Sequence, residues 1–113
     1  MDTITRMYTG DDGESHIEDF SLADHPELAE GLKATNITFR EYPPGHFVDW
    51  HPGPRRQFVI TLSGEGEIGL GDGSLHRFGP GHVNLVEDTT GHGHTTRVSS
   101  DVPRITATIP IEE

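Results

Sequence analysis

The chain has 113 residues, no cysteine and a formal net charge of −11. That length suits a single domain spanning residues 1–113. The missing cysteines exclude disulfides, thiolate metal ligands and a cysteine nucleophile, and so acidic a chain is poorly suited to phosphate backbones, so nucleic acid is not an expected partner.

No run approaches the roughly 18 apolar residues of a membrane span, and the first sixteen residues, MDTITRMYTGDDGESH, hold no apolar stretch of the kind a secretory signal needs. No membrane partner is expected, and the expected compartment is the cytoplasm. Lys33 is the single lysine among eight basic residues. An acidic, lysine-poor surface fits a high-salt cytoplasm or a genome that favours arginine codons. Eight histidines direct attention to metal sites.

In chain order, residues 1–35 are expected to hold N-terminal strands and a short helical turn, and 36–113 the body of a barrel. Gly10-Asp11-Asp12-Gly13 reads as the turn of a first hairpin. Asp24 to Gly31 reads as one helical turn with Asp24 as N-cap and Gly31 as its stop. Ile37 and Phe39 alternate with Thr38 and Arg40. Pro43-Pro44-Gly45 turns into a strand over His46–His51, stopped by Pro52-Gly53-Pro54. The strongest strand signal is Gln57 to Leu62, with Phe58, Ile60 and Leu62 on one face and Gln57, Val59 and Thr61 on the other. A strand around Ile68 and Leu70 leads to a tight turn at Gly71-Asp72-Gly73. Further strands are expected over His82–Glu87, over His94–Val98 after a Thr89–Gly93 loop, and at the end, where Ile105, Ala107, Ile109 and Ile111 alternate with Thr106 and Thr108. Eight to ten short antiparallel strands between glycine and proline turns predict an all-β jelly roll with little helix. The glycines of GEGEIGLGDG fall in hairpin turns rather than ahead of a helix, which argues against a phosphate loop or dinucleotide fingerprint.

Gly45, His51, Gly53, Gln57 and Gly64 fall at the spacing of the first cupin motif, with Gly53 where a second histidine belongs and Gln57 where a glutamate belongs. In the second motif, counted from Gly81, Glu87 stands at the proline position, Thr89 at the glycine position and His92 at the histidine position, with His94 two residues on. The stretches WHPGPRRQFVITLSGE and FGPGHVNLVEDTTGHGHTTR resemble a group of small single-domain cupins whose loop pattern points to His94 rather than His92. About half the chain carries this resemblance. It implies a double-stranded β-helix (jelly-roll cupin barrel) with His51, Gln57 and His94 as ligands of a divalent transition metal, Fe, Mn, Ni or Zn. Because cupins range from dioxygenases and isomerases to binding and storage proteins, the resemblance speaks more to fold than to chemistry.

His51 and Gln57 share parity, so both face inward if the Pro-Gly-Pro segment keeps register. Two neutral imidazoles and an amide oxygen form a feasible donor set for a first-row metal. Gln57 in place of glutamate removes a charge, and Gly53 removes a ligand and opens space for water or substrate. His92 is the alternative to His94, and an empty polar pocket is the alternative to a metal site. His46 and His82 follow turn glycines and read as solvent-exposed; His16, His25 and His76 read as surface residues. Arg55 and Arg56 lie beside the mouth, where a guanidinium fork would hold a substrate carboxylate or pair with Glu87 or Asp88. Glu87 is the candidate general base, Tyr42 and Asp49 are weaker acid–base candidates, and Trp50, of opposite parity to His51, is expected to pack outside or at a dimer contact. The leading expectation is a small metal-dependent enzyme (dioxygenase, isomerase or lyase type) acting on a small polar or anionic metabolite. Its rivals are a non-catalytic small-ligand-binding cupin with a degenerate or empty metal site, and an interaction protein with a vestigial one. A homodimer is expected because Phe58, Ile60 and Leu62 would point out of the barrel and need cover. The alternative cover is the N-terminal segment, with Ile4, Met7 and Tyr8.

Overall fold

The computed structural model describes residues 3–112. The alternating segments become ten strands: β1 (Ile4–Thr9), β2 (Ser15–Asp19), β3 (Thr38–Tyr42), β4 (Phe47–His51), β5 (Gln57–Ser63), β6 (Gly66–Gly69), β7 (Leu75–Phe78), β8 (Val83–Glu87), β9 (His94–Val98) and β10 (Arg104–Pro110). Helix is confined to a 3-10 turn at Leu22–Asp24 and one α-helical turn, α1, at Glu27–Glu30. None of the described helices is long and apolar enough to cross a membrane.

The strands form a six-stranded sheet in the order β2-β1-β8-β5-β10-β3 and a four-stranded sheet in the order β4-β9-β6-β7. The first hairpin turns where expected, with the Gly10 N–H donating to the Glu14 carbonyl and the Gly13 N–H to the Gly10 carbonyl. Two expectations are corrected. The strands are not all antiparallel, because β1 runs parallel to β8, with Met7 opposite Val86. The N-terminal segment is thus a member of the main sheet rather than a flap over it. Asp24 is not the helix cap: it ends the 3-10 turn, and Pro26 caps α1 without a side-chain hydrogen bond. Pro26 supplies a preset φ of −62° at the helix start instead.

Register decides which side chains enter the barrel. Gln57 pairs with Val86 and Val59 with Asn84, and Thr106 pairs with Thr61 and with Arg40. One face of the large sheet therefore presents Met7, Val86, Gln57, Thr61 and Thr106 inward. The opposite face carries Phe58, Ile60, Ala107 and Phe39. Two apolar clusters follow. Inside, Met7, Ile68, Leu70, Phe78 and Val86 pack together, with Ile17 and Val59 against them. Outside, Phe20, Leu85 and Ile111 pack beneath Ile4, Leu28, Leu32 and Phe58. Phe58 is thus covered by its own chain, chiefly by the segment that carries α1. Met7, expected among the covering residues, lies inside the barrel.

Leu85 is almost fully buried in the outer cluster and does not reach the cavity. Leu85→Ala should lower stability by about 2–5 kcal/mol, the usual range for a truncated core leucine, as read from urea unfolding. A loss well under 1 kcal/mol would mean that the segment over residues 20–34 is not packed on the sheet in solution.

Candidate metal and ligand site

The space between the sheets is a cavity of about 520 Å³. Its polar lining follows from the register, because Thr38, Thr96, Thr106 and Thr108 all face it. At one end stand His51, His94, Gln57 and Gly53. At the other stand Arg104, Tyr42 and His46.

His51 and His94 are paired across β4 and β9, with ring centroids 4.5 Å apart. Two local features bring them together. A register irregularity between Val48 and His51 lets both residues face the cavity, although their spacing would set them on opposite faces of a regular strand. Gly93, at φ +81°, lies against the His51 backbone, and a Cβ there would collide with the His51 carbonyl. Only glycine allows that approach.

Each imidazole is held by its Nδ1. In His51 this nitrogen lies 2.6 Å from the Asp49 carbonyl. A carbonyl only accepts, so Nδ1 carries the proton and Nε2 the lone pair. In His94, Nδ1 donates to Asp88 Oδ2 at 2.6 Å. Asp88 is fully buried, and Ser15 Oγ donates to the same oxygen at 2.7 Å. A carboxylate behind an imidazole fixes ring and tautomer and raises ligand basicity, the usual support of a metal-binding histidine. Gln57 completes the group. It is 7% exposed, and its Oε1 is buried without a hydrogen-bond partner. An orphaned acceptor in the same cavity as two imidazoles tied at Nδ1 fits a cation. The set is lean, because no group of three or more His, Cys, Asp or Glu is arranged for a metal among the described residues.

Other expectations fare differently. Gly53 does not open space on its side-chain side: a Cβ there would stand 2.5 Å from Val86 Cγ1 and 3.0 Å from Asp88 Oδ1. Glu87, expected as a general base, lies outside the cavity lining. It is clamped between Arg6 Nε at 2.5 Å and Arg56 Nε at 2.6 Å. Burial opposes its ionisation, but the hydrogen bonds and charges of the two arginines prevail and hold it below the usual carboxylate value. A carboxylate so held is a poor base. Arg56 is accordingly an ion-pair partner and does not line the cavity, whereas Arg55 does. His92 also lies outside it, bound to Glu14 Oε1 at 2.8 Å and stacked on Trp50 at 4.0 Å. Trp50 thus packs outside, and His94, not His92, faces the interior. Tyr42 lines the cavity; Asp49 does not.

His82, expected to be exposed, is half-buried, stacked on Phe78 at 3.9 Å and hydrogen-bonded through Nε2 to Thr5 Oγ1 at 2.9 Å. Burial, with help from the Arg104 charge, pushes its pKa down to about 4. Sequence reading also missed Asp88 and Arg104 as site residues. The signal for Arg104 was its parity with the inward Thr106 and Thr108. Asp88 follows the last residue of β8, where alternation carries no information.

The two sheets close a double-stranded β-helix. Its fold is that of the cupins, as structural comparison shows. A cupin domain from Bordetella pertussis is similar at a TM-score of 0.54 and 18% identity, covering 73% of this chain and 92% of that one. A cupin domain of an XRE family transcriptional regulator from Enterobacter cloacae is similar at 0.52 and 22%, covering 74% and 87%. A sugar phosphate isomerase of the cupin superfamily from Silicibacter pomeroyi is similar at 0.53 and 20%, covering 90% and 61%. No family model matches the chain, and no curated protein is significantly similar in sequence.

The depressed His82 pKa sets a pH dependence. An unfolded histidine takes up its proton near 6.5 and the folded one only near 4. Between these values the unfolded chain holds the extra proton, so stability falls as pH is lowered from about 6.5 toward 4. Thermal melts across that range should show a shallower decline for His82→Gln than for the wild type. Parallel declines would show that His82 is not held neutral.

Proposed function

We propose that the chain is a small metal-dependent cupin enzyme acting on a small polar metabolite in the barrel cavity. The observation that carries this reading is the pair of imidazoles, both tied at Nδ1 with centroids 4.5 Å apart, in the same cavity as buried Gln57 with its unpaired Oε1. His51, Gln57 and His94 would hold one Fe, Mn, Ni or Zn ion. Such an ion, when bound, supplies Lewis acidity to a substrate oxygen. The chain's own residues shape the rest. Asp88 orients His94, the Asp49 carbonyl orients His51, and Val59, Ile68, Phe78 and Val86 limit water on one side of the cavity. Tyr42 and His46, stacked at 5.1 Å, are acid–base groups within it apart from the imidazole pair. Because the fold itself serves both an isomerase and a regulator domain among the similar structures, the reaction class stays with the site. Dioxygenation, isomerisation and lyase chemistry are the candidates.

The second reading, a non-catalytic ligand-binding cupin, is favoured by the neutral, three-donor set. Metal titration separates the two. One equivalent of zinc or nickel should bind at neutral pH, and His51→Ala should abolish binding while His76→Ala leaves it intact. Asp88→Asn should weaken affinity about 10–100-fold, as loss of a supporting carboxylate does. Binding unchanged in His51→Ala would remove the metal site and leave the ligand-binding reading.

The working unit in this reading is a homodimer. Phe39 and Leu62 are 64% and 48% exposed on the outer face of the large sheet, flanking half-buried Ile60. A second copy packed there would bury them, each side chain contributing roughly 1.5–3 kcal/mol. Light scattering should give twice the 12.4 kDa chain mass, and Ile60→Asp should give the single mass. A wild-type mass of one chain at micromolar concentration would overturn the dimer.

A further inference from the structure

Arg104 opens β10 at the end of the cavity away from the imidazole pair. Its side chain is 6% exposed and lines the cavity. Its hydrogen-bond partner is the hydroxyl of Thr61, 3.0 Å from Nη2. Its Nε is buried without a partner, and no carboxylate lies within ion-pair distance among the described residues. A buried cation without a counter-charge is costly, and proteins seldom keep one without a use. Room is also reserved for it: a Cβ at Gly66 would stand 2.5 Å from the guanidinium Cζ.

The surrounding charge points the same way. Arg40, Arg55 and Arg104 all line the cavity, and among the described residues no Asp or Glu does. In a chain of net charge −11, the other arginines, Arg6, Arg56, Arg77 and Arg97, pair with glutamates outside the cavity. Arg40 lies one inward position from Tyr42, the partner of Arg104 across β3 and β10. From these observations we infer that the cavity binds a small organic anion, a carboxylate or phosphate ester, with its oxyanion on Arg104 and Arg40 and its opposite end toward His51 and His94. This deepens the reading above and shares its cavity, but the anion subsite needs no metal. Thr61 and Gln57 lie four residues apart on β5, roughly 13 Å at the rise of a strand, so the ligand is an extended molecule rather than a compact one. The anchor is Arg104 rather than Arg56, which Glu87 already occupies.

The test uses succinate and inorganic phosphate as separate probes on metal-stripped protein, read by calorimetry and thermal shift. At least one probe should bind at millimolar concentration or tighter, and its identity distinguishes a carboxylate from a phosphate subsite. Arg104→Met should weaken that binding roughly tenfold or more, as loss of charge-assisted hydrogen bonds does. Should Arg104→Met not fold, exposed Arg40→Met should weaken it severalfold. His76→Ala should leave it unchanged, and Arg104→Met should keep its zinc binding, so a failed metal site and a failed anion subsite give different results. Probe binding that is absent from the wild type, or unaltered in Arg104→Met, would overturn the assignment.

Discussion

The buried carboxylate of Asp88 is the contact on which the site depends. Its Oδ2 accepts from Ser15 on β2 and from His94 on β9, and its backbone carbonyl accepts from the Gly53 N–H at 2.8 Å. One residue thus joins the N-terminal hairpin, the β4–β5 connection and the second histidine strand. Burying a carboxylate is expensive unless it is hydrogen-bonded, and since its Oδ1 has no partner among the described residues, Ser15 and His94 on Oδ2 carry the compensation. The same residue occupies the space beside Gly53 where a further side chain would stand. The structure therefore exchanges a possible ligand at position 53 for a support behind His94.

From that contact the polarity of the barrel follows. With Gln57 and His94 turned inward, strict alternation sends the threonines and Arg104 inward and the large apolar residues of β5 and β10 outward. The interior is therefore mixed, apolar around Met7, Val59, Ile68, Phe78 and Val86 and polar along the threonines toward Arg104. The outer face is partly covered by the segment bearing α1, through Leu28 and Leu32. Such an inversion leaves an open cavity of about 520 Å³ between the sheets. Burial first, and then the Arg104 charge, push His82 toward neutrality.

Most of the fold was legible in the sequence, because strand alternation and glycine turns are local signals. The turn at Gly71-Asp72-Gly73 and the β5 strand match their expected positions nearly residue for residue. The parallel pairing of β1 with β8 was not legible, since pairing partners distant in sequence leave no local mark. Of the cavity residues, His51 and Gln57 could be read from motif spacing and parity, and His94 from the loop's resemblance to small cupins, since spacing alone gave His92. Glu87 could not, because its parity hid a decisive fact: Arg6, from β1, reaches it only once β1 lies beside β8. Asp88 and Arg104 were missed for related reasons. One sits at a strand end where alternation lapses, and the other stands outside both motifs, so only the inward face of β10 brings it to the cavity.

Both cavity histidines are tied at Nδ1, which in the neutral ring leaves Nε2 with its lone pair. Long-range proton–nitrogen correlation of the imidazole rings tests this directly, since the two neutral tautomers give different patterns. Metal-free protein should show Nδ1–H tautomers at both His51 and His94, with both Nε2 resonances moving when one equivalent of zinc is added. An Nε2–H tautomer at either residue, or zinc shifts confined to other histidines, would contradict it.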